Sequence, residues 1–423
     1  MLVNGYAGDS AAQSSGGSAN RAGAANVTQP QNPAGATEGS DSERVDDSFQ
    51  PKGIELGSFL FFPRLEADAL WSSNVFASES DPRDDVVTRI APEVRLRSRF
   101  SRHELNLRGE LEQYYFRTFT DDNRLDAAAS ADGKLDIERG WEATGFVSFV
   151  NRGEDRGSPN VEQGLSPAET YTGSALFGTR RQQGRFVLQG DVGVDRRLFE
   201  DTRTSTGISI NNTDRNRWEY RGRGRVAYEI RPNYSAVVEA GLNKRTYDDR
   251  LDDSGFNRSS EGYRVEAGIG VDVSQLIRGD FLAGYLHQDY EDPRLADPSG
   301  YALRATFNWT PTRLTVVIPS LERTVQETVS ATASAIVRTG GGVVVRHEFA
   351  RNFVGTLITN LSFDEYAGSA EESWNYEARL RGAYAFSPEW YTGFELGYRG
   401  RDSNRSGSSY DQITMLIRFG ARI

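Results

Sequence analysis

The sequence predicts an all-β fold: a closed antiparallel transmembrane β-barrel of about 18 strands behind a disordered N-terminal tail. Three observations predict it. Polar and apolar residues alternate in run after run. The connections between runs alternate between long and short. Tyr and Trp gather near the ends of the runs, and no helical period competes with the pattern.

Residues 1–52 are rich in Gly, Ala, Ser, Asn and Asp without regular apolar spacing, and read as a disordered tail ahead of a barrel over 53–423. The opening MLVNGYAGDS has neither a basic n-region nor an apolar h-region, so no signal peptide is visible. The barrel reading places the tail in the periplasm.

The two-faced runs fall near 58–71, 86–100, 103–119, 124–138, 141–151, 169–181, 185–199, 216–233, 234–247, 262–275, 279–291, 300–310, 312–325, 329–347, 352–364, 373–386, 389–401 and 409–423. The clearest is NRWEYRGRGRVAYEIRPN (216–233). Arg217, Glu219, Arg221, Arg223, Arg225, Glu229 and Arg231 occupy alternate positions, with Ala227 the one gap, and the residues interleaved with them carry no charge. A period of two is a strand whose faces meet different surroundings. A barrel in lipid turns its apolar face outward and its charged face to a watery lumen.

Connections after even-numbered strands are short, for example ERGW (138–141) and RPNY (231–234). Those after odd-numbered strands are mostly long and polar, for example 151–169, 200–214 and 248–262, with 326–328 a short exception. A soluble sandwich has no reason to sort loop length by strand parity, whereas an outer-membrane barrel has long loops outside and short periplasmic turns. The aromatics near strand ends are Trp71, Trp141, Trp218, Tyr220, Tyr234, Trp309, Trp374, Tyr376 and Trp390, which suits interfacial girdles. Mean hydropathy of −0.58 is compatible with this, because a lipid face in alternate residues averages out.

Composition narrows the function. A net charge of −11 and a pI near 5.1 argue against a general nucleic-acid binder. Cysteine is absent, which removes disulfides and thiolate metal sites. The three histidines, His103, His287 and His347, form no triad or metal set with neighbouring groups, so an enzyme is not expected, nor a cofactor. The Asp-rich stretches 121–126, 247–255 and 289–300 lack the spacing of a calcium loop and read as solvated loops.

The segment GSFLFFPRLEADALWSSNVFA (57–77) resembles the start of a proteobacterial family of outer-membrane β-barrel porins whose genes lie among those for exopolysaccharide or capsule synthesis. Gly57, Phe59, Pro63, Asn74, Val75, Phe76 and Ala77 match the family pattern, with Ser73 where an Asp is usual. EDRGSP (154–159) and RHEFARN (346–352) are similar to later family segments, and the resemblance covers about 57–423. One departure is the ending RFGARI, with Phe419 four residues short of the terminus that such barrels often close with an aromatic. The resemblance implies passive passage of a secreted polysaccharide across the outer membrane, with outer-membrane lipid and lipopolysaccharide as surroundings and periplasmic export proteins as partners.

The candidate solute contacts are the inward charges Arg217, Glu219, Arg221, Arg223 and Arg225, with Arg95, Arg97, Glu110 and Glu112. Guanidinium rows suit acidic sugars because arginine grips carboxylates bidentately. Cross-strand pairing along the wall is the simpler account of the same residues. Two other functions remain open. A general or sugar-specific diffusion porin predicts a loop folded into the lumen, with 151–169 the best candidate. A structural or binding barrel predicts a plugged lumen.

Overall fold

The computed structural model describes residues 49–159, 161, 164–204, 206–273 and 276–423. The predicted tail therefore lies outside the described residues up to residue 48. Phe49, just past that point, already packs on the barrel, its carbonyl accepting from Arg422 Nη2 at 3.0 Å.

Eighteen strands follow one another round the wall: β1 (Phe59–Ser72), β2 (Asp85–Ser98), β3 (Glu104–Phe116), β4 (Arg124–Glu138), β5 (Trp141–Gly153), β6 (Glu169–Gln183), β7 (Phe186–Phe199), β8 (Arg217–Arg231) and β9 (Tyr234–Tyr247) come first. Then come β10 (Ser260–Val273), β11 (Ile277–Tyr290), β12 (Ser299–Thr312), β13 (Thr315–Gln326), β14 (Ile336–Ala350), β15 (Phe353–Tyr366), β16 (Glu372–Ala385), β17 (Trp390–Ser403) and β18 (Tyr410–Arg422). Every neighbour is antiparallel, and β18 returns to pair with β1 from Arg64↔Arg422 to Ser72↔Thr414. Closure leaves no edge, so the backbone of the wall is paired strand to strand all the way round, as lipid demands. Eighteen strands about 4.8 Å apart and tilted by about 40° enclose a backbone cylinder roughly 35 Å across. A short strand, Ile54–Leu56, doubles back on the start of β1.

The alternation sorts as the sequence predicts. On β8 the exposed side chains are Trp218, Tyr220, Val226, Tyr228 and Ile230, while Arg217 is buried on the other face. Leu242 on β9 and Ile417 on β18 are 67% and 69% exposed, which makes sense for a wall whose apolar side faces lipid. Outward aromatics form two belts. Trp218, Tyr220, Tyr263 and Trp374 lie toward the long-loop end, and Trp141, Tyr228, Trp309, Tyr384 and Trp390 toward the short-turn end.

The turns are tight. At the β4–β5 turn Gly140 has φ +77°, and a Cβ there would meet the Gln182 carbonyl oxygen at 2.9 Å, so glycine is required twice over. At the β8–β9 turn, Pro232 is followed by Asn233 at φ 73°, a left-handed position that asparagine tolerates.

One connection corrects the sequence reading. The exception near 326–328 does not exist, because β14 begins at Ile336 and 327–335 is a loop like the others after odd-numbered strands. The alternating Val329, Ala331, Ala333 and Ala335 imitate a strand, but Ala333 packs with Ile336 and Tyr366, and Ala335 with Tyr290 and Leu295.

Candidate functional site: the charged lumen

Every second residue of each strand points inward, and the antiparallel register stacks these residues into rows around the lumen. All five charges predicted on β8 lie on this face. Arg217 Nε donates to Glu219 Oε1 at 2.8 Å on its own strand. Arg221 reaches Asp195 on β7 at 2.5 Å and Arg223 reaches Asp191 at 2.7 Å. Arg225 bridges to Asp280 on β11 at 2.8 Å and to Glu239 on β9 at 3.4 Å. Arg217 is engaged along its own strand and Arg221, Arg223 and Arg225 across strands, rather than presented bare to solute.

The predicted pair β2–β3 behaves the same way. Arg95 pairs with Glu93, Glu110 takes Arg108 at 2.6 Å and Arg152 at 3.1 Å, and Glu112 takes Arg89 at 2.5 Å. Arg97 differs. It is exposed near the turn end of the lumen, with its guanidinium 5.5 Å from the centre of the Phe62 ring. The hub of this network is Arg89, legible as an inward charge of its strand but not among the candidate contacts: it also donates to Glu66 and Asp68 on β1, at 2.7 and 2.8 Å. Arg418 on β18 closes on Asp68 with two bonds of 2.8 and 2.7 Å.

Two loops leave the wall and cross the lumen near the long-loop end. The first, 154–168, is the one expected of a narrowed channel. Its Asp155 carboxylate is held by both terminal nitrogens of Arg399 on β17, the Nη2 bond being 3.1 Å. The Gly157 carbonyl accepts from Arg401 Nη2 at 2.9 Å and from the Tyr410 hydroxyl at 3.1 Å. Five strands (β18, β1, β2, β3 and β4) lie between β5, where the loop starts, and β17, where it lands. The Asp155–Arg399 contact is therefore a chord through the interior. Within the loop Arg156 grips Asp122 at 2.9 and 2.7 Å and the carbonyls of Gly164 and Leu165 at 2.8 Å each, so the loop carries its own frame.

The second is 327–335. Glu327 meets Arg245 and the Tyr247 hydroxyl of β9, across three intervening strands. Arg258, in the loop before β10, donates to the carbonyls of Thr328, Ser330 and Ala333 at 3.2, 2.9 and 3.1 Å. This loop had no signal in the sequence, since its alternation reads as strand.

Loop carboxylates are spent on arginines and backbone amides. Burial alone would raise the Asp155 carboxyl, but the Arg399 guanidinium and the Gly157 amide hold it below its ordinary value. Asp248 is held low by its two bonds to Arg196, at 2.7 and 2.5 Å. Asp252 and Asp292, from the Asp-rich stretches, pair with Arg258 at 2.5 Å and Arg294 at 2.6 Å.

The histidines stand apart. His103 Nδ1 accepts from the Asp136 amide at 3.3 Å, His347 Nδ1 lies 2.9 Å from Thr315 Oγ1, and His287 packs against Tyr263 on the outward face.

A family model described as “Putative beta-barrel porin 2” matches residues 47–421. None of the curated proteins compared with the chain matches it. Among solved structures the chain is similar to the siderophore receptor PirA from Pseudomonas aeruginosa, at 8% identity over 88% of this chain and 81% of that one, with a TM-score of 0.45. It is also similar to OpdK with vanillate from the same organism, at 11% identity over 86% and 99% of the two chains, with a TM-score of 0.43. OccK3 (OpdO), again from Pseudomonas aeruginosa, gives 12% identity, 86% and 96% coverage and a TM-score of 0.42.

Proposed function

The chain belongs to this beta-barrel porin family, and on that premise we propose that it is a passive outer-membrane channel for small hydrated solutes, acidic ones among them. The long loops face the cell exterior and the short turns the periplasm. The observation that carries the reading is the pair of chords, Asp155 to Arg399 and Glu327 to Arg245 and Tyr247, which narrow a lumen otherwise wide enough for an open aqueous pore. Below them, rows of Arg and carboxylate keep the wall wet and disfavour apolar solutes, as fixed charges in a pore do. No step in this function requires catalysis or an energy source within the chain.

Export of exopolysaccharide is the second reading. The mixed-charge wall on β2, β3, β7, β8 and β9 suits a hydrated acidic polymer, with Arg97 at the turn-end mouth where such a chain would enter. A polymer needs both chords released, a small solute does not. Single-channel conductance of the full chain in planar bilayers separates the readings. A steady current in salt alone, reduced by monomeric sugar acids, supports the diffusion channel. Current that appears only with both chords removed, and is blocked by acidic oligosaccharide, supports the conduit. Silence in every form overturns both.

A further inference from the structure

The landing site of loop 154–168 has the make-up of a ligand site. Arg399 and Arg401 are successive inward residues of β17, their Cα atoms about 6.6 Å apart at strand rise. Arg399 closes on a carboxylate with two nitrogens. Arg401 carries no carboxylate among the described residues; its Nε donates to Asn375 Oδ1 at 3.0 Å and its Nη2 to the Gly157 carbonyl at 2.9 Å. The Tyr410 hydroxyl adds a third donor at 3.1 Å, and its ring centre lies 5.4 and 5.7 Å from the two guanidinium groups. What fills this pocket is the loop itself: one carboxylate and, two residues on, one carbonyl oxygen.

The approach is close enough to exclude any side chain at residue 157. A Cβ on Gly157 would collide with the Arg399 guanidinium and stand 2.6 Å from the Tyr410 hydroxyl. The bare backbone is pressed into the donors. The Arg156 frame, meanwhile, ties the loop to Asp122 and to its own carbonyls, so the loop keeps its shape if the Arg399 contact is lost.

Building on the channel reading above, we infer that Arg399, Arg401 and Tyr410 form a binding site for a carboxylate-bearing sugar, and that Asp155 with Gly157 occupies it as a tethered competitor which the solute displaces. A sugar acid offers the same oxygens: a carboxylate for Arg399 and a hydroxyl or ring oxygen for Arg401, with a ring face for Tyr410. Exchange swaps one carboxylate for another on the same guanidinium, so Arg399 stays paired while the released Asp155 carboxylate passes to water. A tethered group competes at an effective concentration on the order of millimolar, so displacement needs solute at that level. Removing the tethered carboxylate should tighten solute binding about tenfold.

The test uses the full chain in detergent, with galacturonate as probe and galactose as its neutral control. Since the chain has no cysteine, Pro159→Cys, half-buried and two residues past the Gly157 contact, accepts a single nitroxide label outside the stretch that Arg156 frames. Galacturonate should mobilise the label and galactose should not. Asp155→Asn and Gly157→Ala should each leave the label mobile without ligand, and Asp155→Asn should bind galacturonate about tenfold tighter by calorimetry. Arg399→Gln should leave the label mobile and abolish galacturonate binding. An immobile label and unchanged affinity in Asp155→Asn would overturn the inference, as would galacturonate binding that survives Arg399→Gln. Heat-modifiable gel mobility checks that each variant is a folded barrel. Because label and calorimetry need no current, failure here is distinct from a failure of the channel reading, which the conductance of the unaltered chain decides.

Discussion

Asp68 and Arg89 stand directly opposite each other in the β1–β2 ladder, and Arg89 Nε donates to Asp68 Oδ2 at 2.8 Å. On its other side Asp68 is opposite Arg418 of β18, which grips it with two bonds. One buried carboxylate thus joins the first two strands to the last. Removing it leaves Arg89 on Glu66 and Glu112 and Arg418 on Glu66 alone, at 3.5 Å, with one negative charge fewer in a buried cluster. We expect Asp68→Ala to destabilise the barrel by about 3–5 kcal/mol, measured by guanidinium unfolding in detergent or bilayers. A loss below about 1 kcal/mol would mean that water already solvates the seam.

The lipid face carries its own penalty. Leu242 lies near the middle of β9 and is two-thirds exposed on the outward side. Leu242→Arg should cost about 2–4 kcal/mol in a bilayer. Asn243→Arg, one position along and turned to the lumen, should cost much less. Equal costs would place both residues in water.

Backbone geometry makes a sharper demand at the β4–β5 turn. Gly140 combines a left-handed φ with a carbonyl where a Cβ would sit. Gly140→Val should lower stability by about 1–3 kcal/mol, while Arg139→Val in the same turn should stay within about 0.5 kcal/mol. Comparing the two midpoints in one unfolding series checks this.

Acid should open the first chord. The Asp155 carboxyl is depressed below the ordinary aspartate value of 3.8, so its tie to Arg399 is complete above that value and is lost as pH falls through the lower native one. Conductance should therefore rise as pH falls below about 4, and Asp155→Asn should show the raised level at all pH with no step of its own. A step that persists in Asp155→Asn would assign it to other carboxylates.

Much of the fold is legible in the sequence because a strand between two solvents must alternate, and from Arg217 to Arg231 every alternate position but Ala227 is charged. The lumen charges were legible as inward-facing, and cross-strand pairing as the simpler account of them, but the particular partners were not. Arg225 meets Asp280 only because β8 and β11, with two strands between them on the wall, bring their inward side chains within reach, a relation that spacing along the chain does not encode. The inward course of 154–168 could be anticipated from its length, whereas its landing on Arg399, 244 residues away, could not. The 327–335 loop was hidden for a different reason. Its small residues alternate as a strand would, and only their packing under Tyr366 and Tyr290 distinguishes them.

The seam at Asp68 also governs the order in which the protein can be made. Each hairpin from β1 to β18 joins neighbours in sequence, so its search is short and its loop entropy small. The β1–β18 join is the exception, since Asp68 and Arg418 are separated by 350 residues. Until β18 arrives, the growing sheet has two bare edges, and one of them displays an acidic residue still short of its second arginine. A chain halted before Arg418 therefore keeps both edges open to other strands, and the last thirteen-residue strand acts as the clasp that ends this exposure.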